Sequence, residues 1–134
     1  MNYFRWLPIC LLVLSANANA LQSKIEIIEQ FDNLRMVAFV DKKAINESPE
    51  WNPNNDPPPL TIVEAIQAVK QFNKGPKKLG AIKEIEIRPV PNDEKHWHYL
   101  IKITNDLMKS KYSIYVVLMS GKVVPAIIEP QAIK

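Results

Sequence analysis

The residue types best suited to chemistry gather in one short run, Glu94, His96 and His98. Side chains two positions apart on a strand project to the same side, so both imidazoles would align with the Glu94 carboxylate. A metal site would need that array plus one or two further ligands from a neighbouring strand. The same positions lie on the face opposite Trp97 and Tyr99, where polar side chains belong, and this structural reading is the stronger one. Glu84 and Glu86 pair two carboxylates on one strand face, but Arg88 beside them favours a solvated charge ladder over acid–base catalysis. Nucleophilic chemistry fares no better. No G-x-S-x-G turn occurs, and the chain's 3 glycines signal neither a phosphate-cradling loop nor an oxyanion turn. The expectation is a protein that is not an enzyme and carries no cofactor.

Placing those residues starts with the first twenty. Residues 1–5 are a short basic start, residues 6–15 are apolar, and Ala18-Asn19-Ala20 is an A-x-A cleavage pattern. A cleaved signal peptide over residues 1–20 is expected, leaving one domain over residues 21–134, periplasmic or secreted. No later stretch approaches the roughly 20 apolar residues that a membrane span needs. The single cysteine, Cys10, falls in the leader and follows Leu7-Pro8-Ile9, without the small residues that precede a lipidated cysteine. The processed chain then has no disulfide, thiol nucleophile or zinc-thiolate site, and its stability must come from packing. Losing Arg5 from the 17 basic residues leaves 16 against 14 acidic ones. Most are lysines spread along the chain rather than grouped on one face, which argues against a nucleic-acid partner.

Residues 34–40 read as a strand, and Asp32-Asn33 before them tolerate positive φ. A hairpin with residues 24–31 is therefore expected, although Ile25, Ile28 and Phe31 also fit a helical stripe. Five prolines and four asparagines in residues 46–59 predict an irregular loop carrying Trp51 and Pro53. An indole in such a loop either folds back over the core edge, the favoured reading, or is presented to a partner. Residues 60–75 predict a helix. Thr61 and Glu64 form a capping box, Ile62, Ala65, Ile66, Val69 and Phe72 make one apolar stripe, and Gly75-Pro76 end it.

Such a stripe must lie on a sheet. Residues 82–90 place Ile85 and Ile87 on one face, and residues 96–104 turn Trp97, Tyr99, Ile101 and Ile103 inward. Residues 112–119 are apolar on both faces, as in a central strand covered on both sides or one packed against another chain. Ser120-Gly121 predict a tight turn, and Pro125 puts the returning strand at an edge. The expected fold is α+β: one amphipathic helix on an antiparallel meander of about four strands, preceded by a short hairpin.

Two resemblances rest on these segments. The capped helix with Ala65, the strands after it and the Ser120-Gly121-Lys122-Val123-Val124 return resemble a PepSY-type module over residues 60–128. That resemblance implies an exported bacterial domain that binds or restrains a partner. The chain lacks the aspartate and the threonine-glycine pair usual before that family's last strand. The Trp51–Pro53 loop, Pro58–Thr61 helix entry, Trp97-x-Tyr99 strand and Val117–Pro125 hairpin also resemble small exported bacterial proteins of uncharacterised function. Neither resemblance lends catalytic residues.

The function expected is a non-catalytic binding module recognising a protein or peptide through Trp51, Pro53, Tyr115, Val117 and Met119. A stiff proline loop loses little entropy on docking. The alternative is a small-molecule or metal carrier using a helix–sheet cavity or the Glu94, His96 and His98 face.

Overall fold

A computed structural model describes residues 23–74 and 79–129. The expected leader with its A-x-A pattern, Cys10 and the expected Gly75-Pro76 helix stop lie outside the described residues. The fold is α+β, built on two antiparallel sheets. Strands β1 (Lys24–Phe31) and β2 (Leu34–Asp41) form a full-length hairpin. Its two-residue turn has φ of 48° at Asp32 and 63° at Asn33, the left-handed pair that matches the twist of the flanking strands. Asp41 leads into a six-residue helix, α1 (Lys42–Glu47), anchored by the buried Ile45. Sequence periodicity misses it because a helix this short shows barely more than one apolar repeat.

Helix α2 (Ile62–Phe72) carries the expected cap. Glu64 N–H donates to Thr61 Oγ1 at 3.1 Å and Thr61 N–H donates to Glu64 Oε1 at 2.9 Å. The Thr61 backbone N–H, and after it the Thr61 side chain, hydrogen-bond to the Glu64 carboxylate and hold it below its ordinary range. Thr61→Ala is expected to cost about 1 kcal/mol, seen as a lowered thermal midpoint, and an unchanged midpoint would show the cap idle. The helix closes on Asn73, whose N–H and side-chain amide both donate to the Val69 carbonyl. The buried stripe is narrower than expected. Ala65 and Val69 are sealed, whereas Ile62 and Phe72 are about half exposed, since the ends of the helix overhang its platform.

That platform is the four-stranded sheet β3 (Ile82–Pro89), β4 (Trp97–Thr104), β5 (Tyr112–Leu118) and β6 (Val123–Pro125), in that order. Pro125 sits on its edge strand, as expected. The chain then changes sheets at Ala126, and β7 (Ile127–Ile128) pairs with β2 on the edge away from β1. The last strand is thus two short ones, not one.

Alternation along β4 and β5 sorts side chains into two cores. Tyr99, Ile101, Tyr115, Val117 and Met119 meet Ala65 and Val69 of α2. Leu100, Ile114, Val116 and Leu118 meet Met36, Ala38 and Val40 of β2. The N-terminal hairpin is therefore not a preface to the meander. It covers the meander's second face, giving three layers: α2, the four-stranded sheet, and β1-β2-β7. Among the described residues no helix is long and apolar enough to cross a membrane.

Candidate functional site

The hairpin layer corrects the histidine reading. The face opposite Trp97 and Tyr99 is interior, so His98 is 1% exposed, on the same side of β4 as Leu100. Its Nδ1–H donates to the Tyr99 carbonyl at 3.2 Å, and burial holds the imidazole below its ordinary pKa, in the neutral form. His96 lies before the strand and turns back, donating from Nδ1 to Asp93 Oδ2 at 2.8 Å. Glu94 points elsewhere, into an exposed turn. Glu94, His96 and His98 thus do not converge on a metal-sized point, and the only such group among the described residues is Glu29, Glu84 and Glu86.

Those three carboxylates lie within 4.8 Å of one another between the sheets, and they already have cations. Arg88 Nε donates to Glu86 at 2.6 Å and its Nη2 to Glu29 at 3.2 Å. Lys102 Nζ stands 3.8 Å from Glu29 and 3.9 Å from Glu84, over the Phe31 ring at 4.5 Å. The expected solvated ladder is instead a half-buried clasp between β1, β3 and β4. A hydrogen bond to the Glu86 carboxylate, in which the protonated Glu84 donates, pushes the Glu84 carboxyl up, while Arg88 and that same bond hold Glu86 down, so the shared proton resides on Glu84. A raised folded-state pKa means stability present at acid pH and lost as pH rises through it. Glu84→Gln makes the donor permanent. It should stabilise the fold by less than about 1 kcal/mol near neutral pH, given Glu84's exposure. The gain should vanish below the ordinary value of 4.5. Equal melting gains at about pH 4 and about pH 8 would contradict the shared proton.

The second place where polar groups converge is a loop cavity of about 450 Å³. Its walls are Glu50, Trp51, Asn52, Pro53 and Asp56 on one side, and Glu94 and Lys95 on the other. Each wall is braced. Trp51 N–H donates to the Lys95 carbonyl at 2.9 Å, joining loop to turn. The Trp51 indole N–H donates to the Asp56 carbonyl at 2.7 Å, and its ring meets Trp97 edge-on at 5.1 Å. Asn52 closes the loop, its carbonyl accepting from Asn55 and Asp56 and its side chain from Asn54. Opposite, Asp93 Oδ1 accepts from the Lys95 and His96 N–H groups, and Asn92 takes φ of 62°. Burial tends to raise the Asp93 carboxyl, but these bonds and the His96 contact outweigh it and hold the group low. His96 is therefore a fastener of the turn that carries Glu94 and Lys95.

Comparison with protein-family models, curated proteins and solved structures finds no match.

Of the residues expected to meet a partner, the cavity brings together Trp51 and Pro53, with Glu94 added from the metal reading. Trp51 folds back onto the helix-side core, yet it is only partly buried and forms a wall. Tyr115, Val117 and Met119 are corrected. They are at most 8% exposed beneath α2, so their strand is apolar on both sides because it is covered on both sides. The helix–sheet space proposed for a carrier is packed by Tyr99, Ile101, Val117 and Val69. Sequence reasoning missed Glu50, Asp56 and Lys95. Three ordinary charged residues in loops give no periodic signal, and it is the Trp51–Lys95 bond and the Trp51–Trp97 ring contact that bring them together.

Proposed function

We propose that this chain is a non-catalytic binding module, exported to the bacterial envelope or beyond, that recognises a protein or peptide through the Trp51 cavity. The observation carrying this reading is the bracing of that cavity. A concave site on two hydrogen-bonded loops is formed before any ligand arrives, so docking orders little. Its volume of about 450 Å³ suits a side chain with its neighbouring backbone. Export rests on the composition of residues 1–20.

Selection of peptides from a random library on the immobilised chain tests the proposal. Glu50→Tyr narrows the cavity from an exposed position and should weaken selected peptides at least about tenfold without moving the thermal midpoint. Selected peptides that bind parent and variant equally would remove the cavity from the account.

A further inference from the structure

The donor and acceptor inventory of the cavity is lopsided. Glu50, Asp56 and Glu94 bring three carboxylates, and among the described residues none of them has a side-chain hydrogen bond or ion pair. Lys95 is the only cation on the lining, so the site is negative by two in a chain whose net charge is +3. Its aromatic wall leans the same way. The Trp51 N–H is already given to the Asp56 carbonyl, which leaves the indole with its electron-rich ring and no free donor. A ligand group that satisfied such a cavity would be rich in donors, positively charged and flat or slender enough to lie against an indole. Anions would meet uncompensated carboxylates, and neutral apolar groups would desolvate them without return.

We infer that the group this cavity selects is a cationic side chain, an arginine guanidinium or a lysine ammonium, presented by an extended peptide. The inference rests on the binding reading above and adds the chemistry of the partner. A guanidinium brings five donors in a planar fork, matching carboxylates at its edge while stacking on an aromatic face. The braced loops matter here, because exposed ion pairs are worth little when both side chains must first be ordered. Trp51 is fixed at its backbone N–H, its indole N–H and its ring, and Asp56 by a backbone bond to Asn52.

The test titrates the full chain with acetyl-Gly-Arg-Gly-amide, its lysine, citrulline and glutamate counterparts, and agmatine, followed by Trp fluorescence and amide shifts. The arginine and lysine peptides should bind, and the uncharged citrulline peptide should be weaker by at least about tenfold. Combining Glu50→Gln, Asp56→Asn and Glu94→Gln should cost a similar factor, and Lys95→Gln should strengthen binding by about twofold to fivefold. Thermal midpoints confirm that each variant is folded. Citrulline binding as tightly as arginine, or no binding by either cationic peptide, overturns the inference. Agmatine equalling the arginine peptide overturns the peptide as carrier. Library peptides that Glu50→Tyr blocks but that carry no arginine or lysine sink this inference alone. Library peptides indifferent to Glu50→Tyr sink the binding reading beneath it.

Discussion

Tyr99→Ala is expected to lower stability by about 3–5 kcal/mol, the largest single loss among these predictions. The ring is 0% exposed at the centre of the helix-side core, between Ala65 and Val69 of α2 and its neighbours on β4 and β5. Its hydroxyl donates to the Leu60 carbonyl at 2.5 Å, which ties the end of the proline loop to the sheet just before α2 begins. Truncation therefore opens a cavity and leaves a backbone acceptor without its partner. Tyr99→Phe separates the two effects and should cost only about 1 kcal/mol. For a domain this size the alanine variant should melt more than about 10 °C lower. A loss below about 1 kcal/mol in denaturant titration would mean that α2 does not seal this face.

Arg88→Ala should cost about 2–3 kcal/mol near neutral pH. Removing one member of a buried ion pair leaves the other charge stranded, which usually costs about 3–5 kcal/mol. Arg88 keeps 28% of its side chain exposed and Glu29 keeps 15%, so screening reduces the figure. Without Arg88, Lys102 alone faces Glu29, Glu84 and Glu86, whose mutual repulsion pushes β1 away from β3. The loss should shrink as pH falls through the carboxylate range, because protonation removes the repulsion. Replacing Glu29 and Arg88 together by methionine should recover much of the stability, since an apolar pair strands no charge. Chemical denaturation at several pH values checks both statements. A loss independent of pH would assign Arg88 a packing role instead.

Legibility in the sequence followed the range of the interactions. The Asp32-Asn33 turn and the Thr61–Glu64 cap depend on neighbours at most three residues apart, and both formed as read. The double-sided apolar character of β5 was also visible, but what covered its second face was not. Nothing local in residues 24–41 says that the hairpin packs on Leu100, Val116 and Leu118 rather than beside them. One clue was available. Leu100 lies between His98 and Lys102 on the face opposite Tyr99, and a leucine there implies a cover. Without that layer the sequence places the histidines on a polar face, the glutamates in a solvated ladder and Tyr115 in a contact with another chain. Trp51 and Glu94 were each singled out, for different reasons, and one backbone bond between Trp51 and Lys95 unites them. Sequence periodicity carries no trace of such a bond.

The proposed docking surface joins the Trp51 loop to the Asp93 turn. Amide spectra of the labelled chain, recorded with and without a library-selected peptide, address it most directly. Shifts are expected only in residues 50–56 and 92–97, with the amides of α2, β6 and the β1–β2 hairpin unmoved. Shifts centred on the exposed ends of α2 or on the β6 edge, with the Trp51 and Lys95 amides silent, would contradict it.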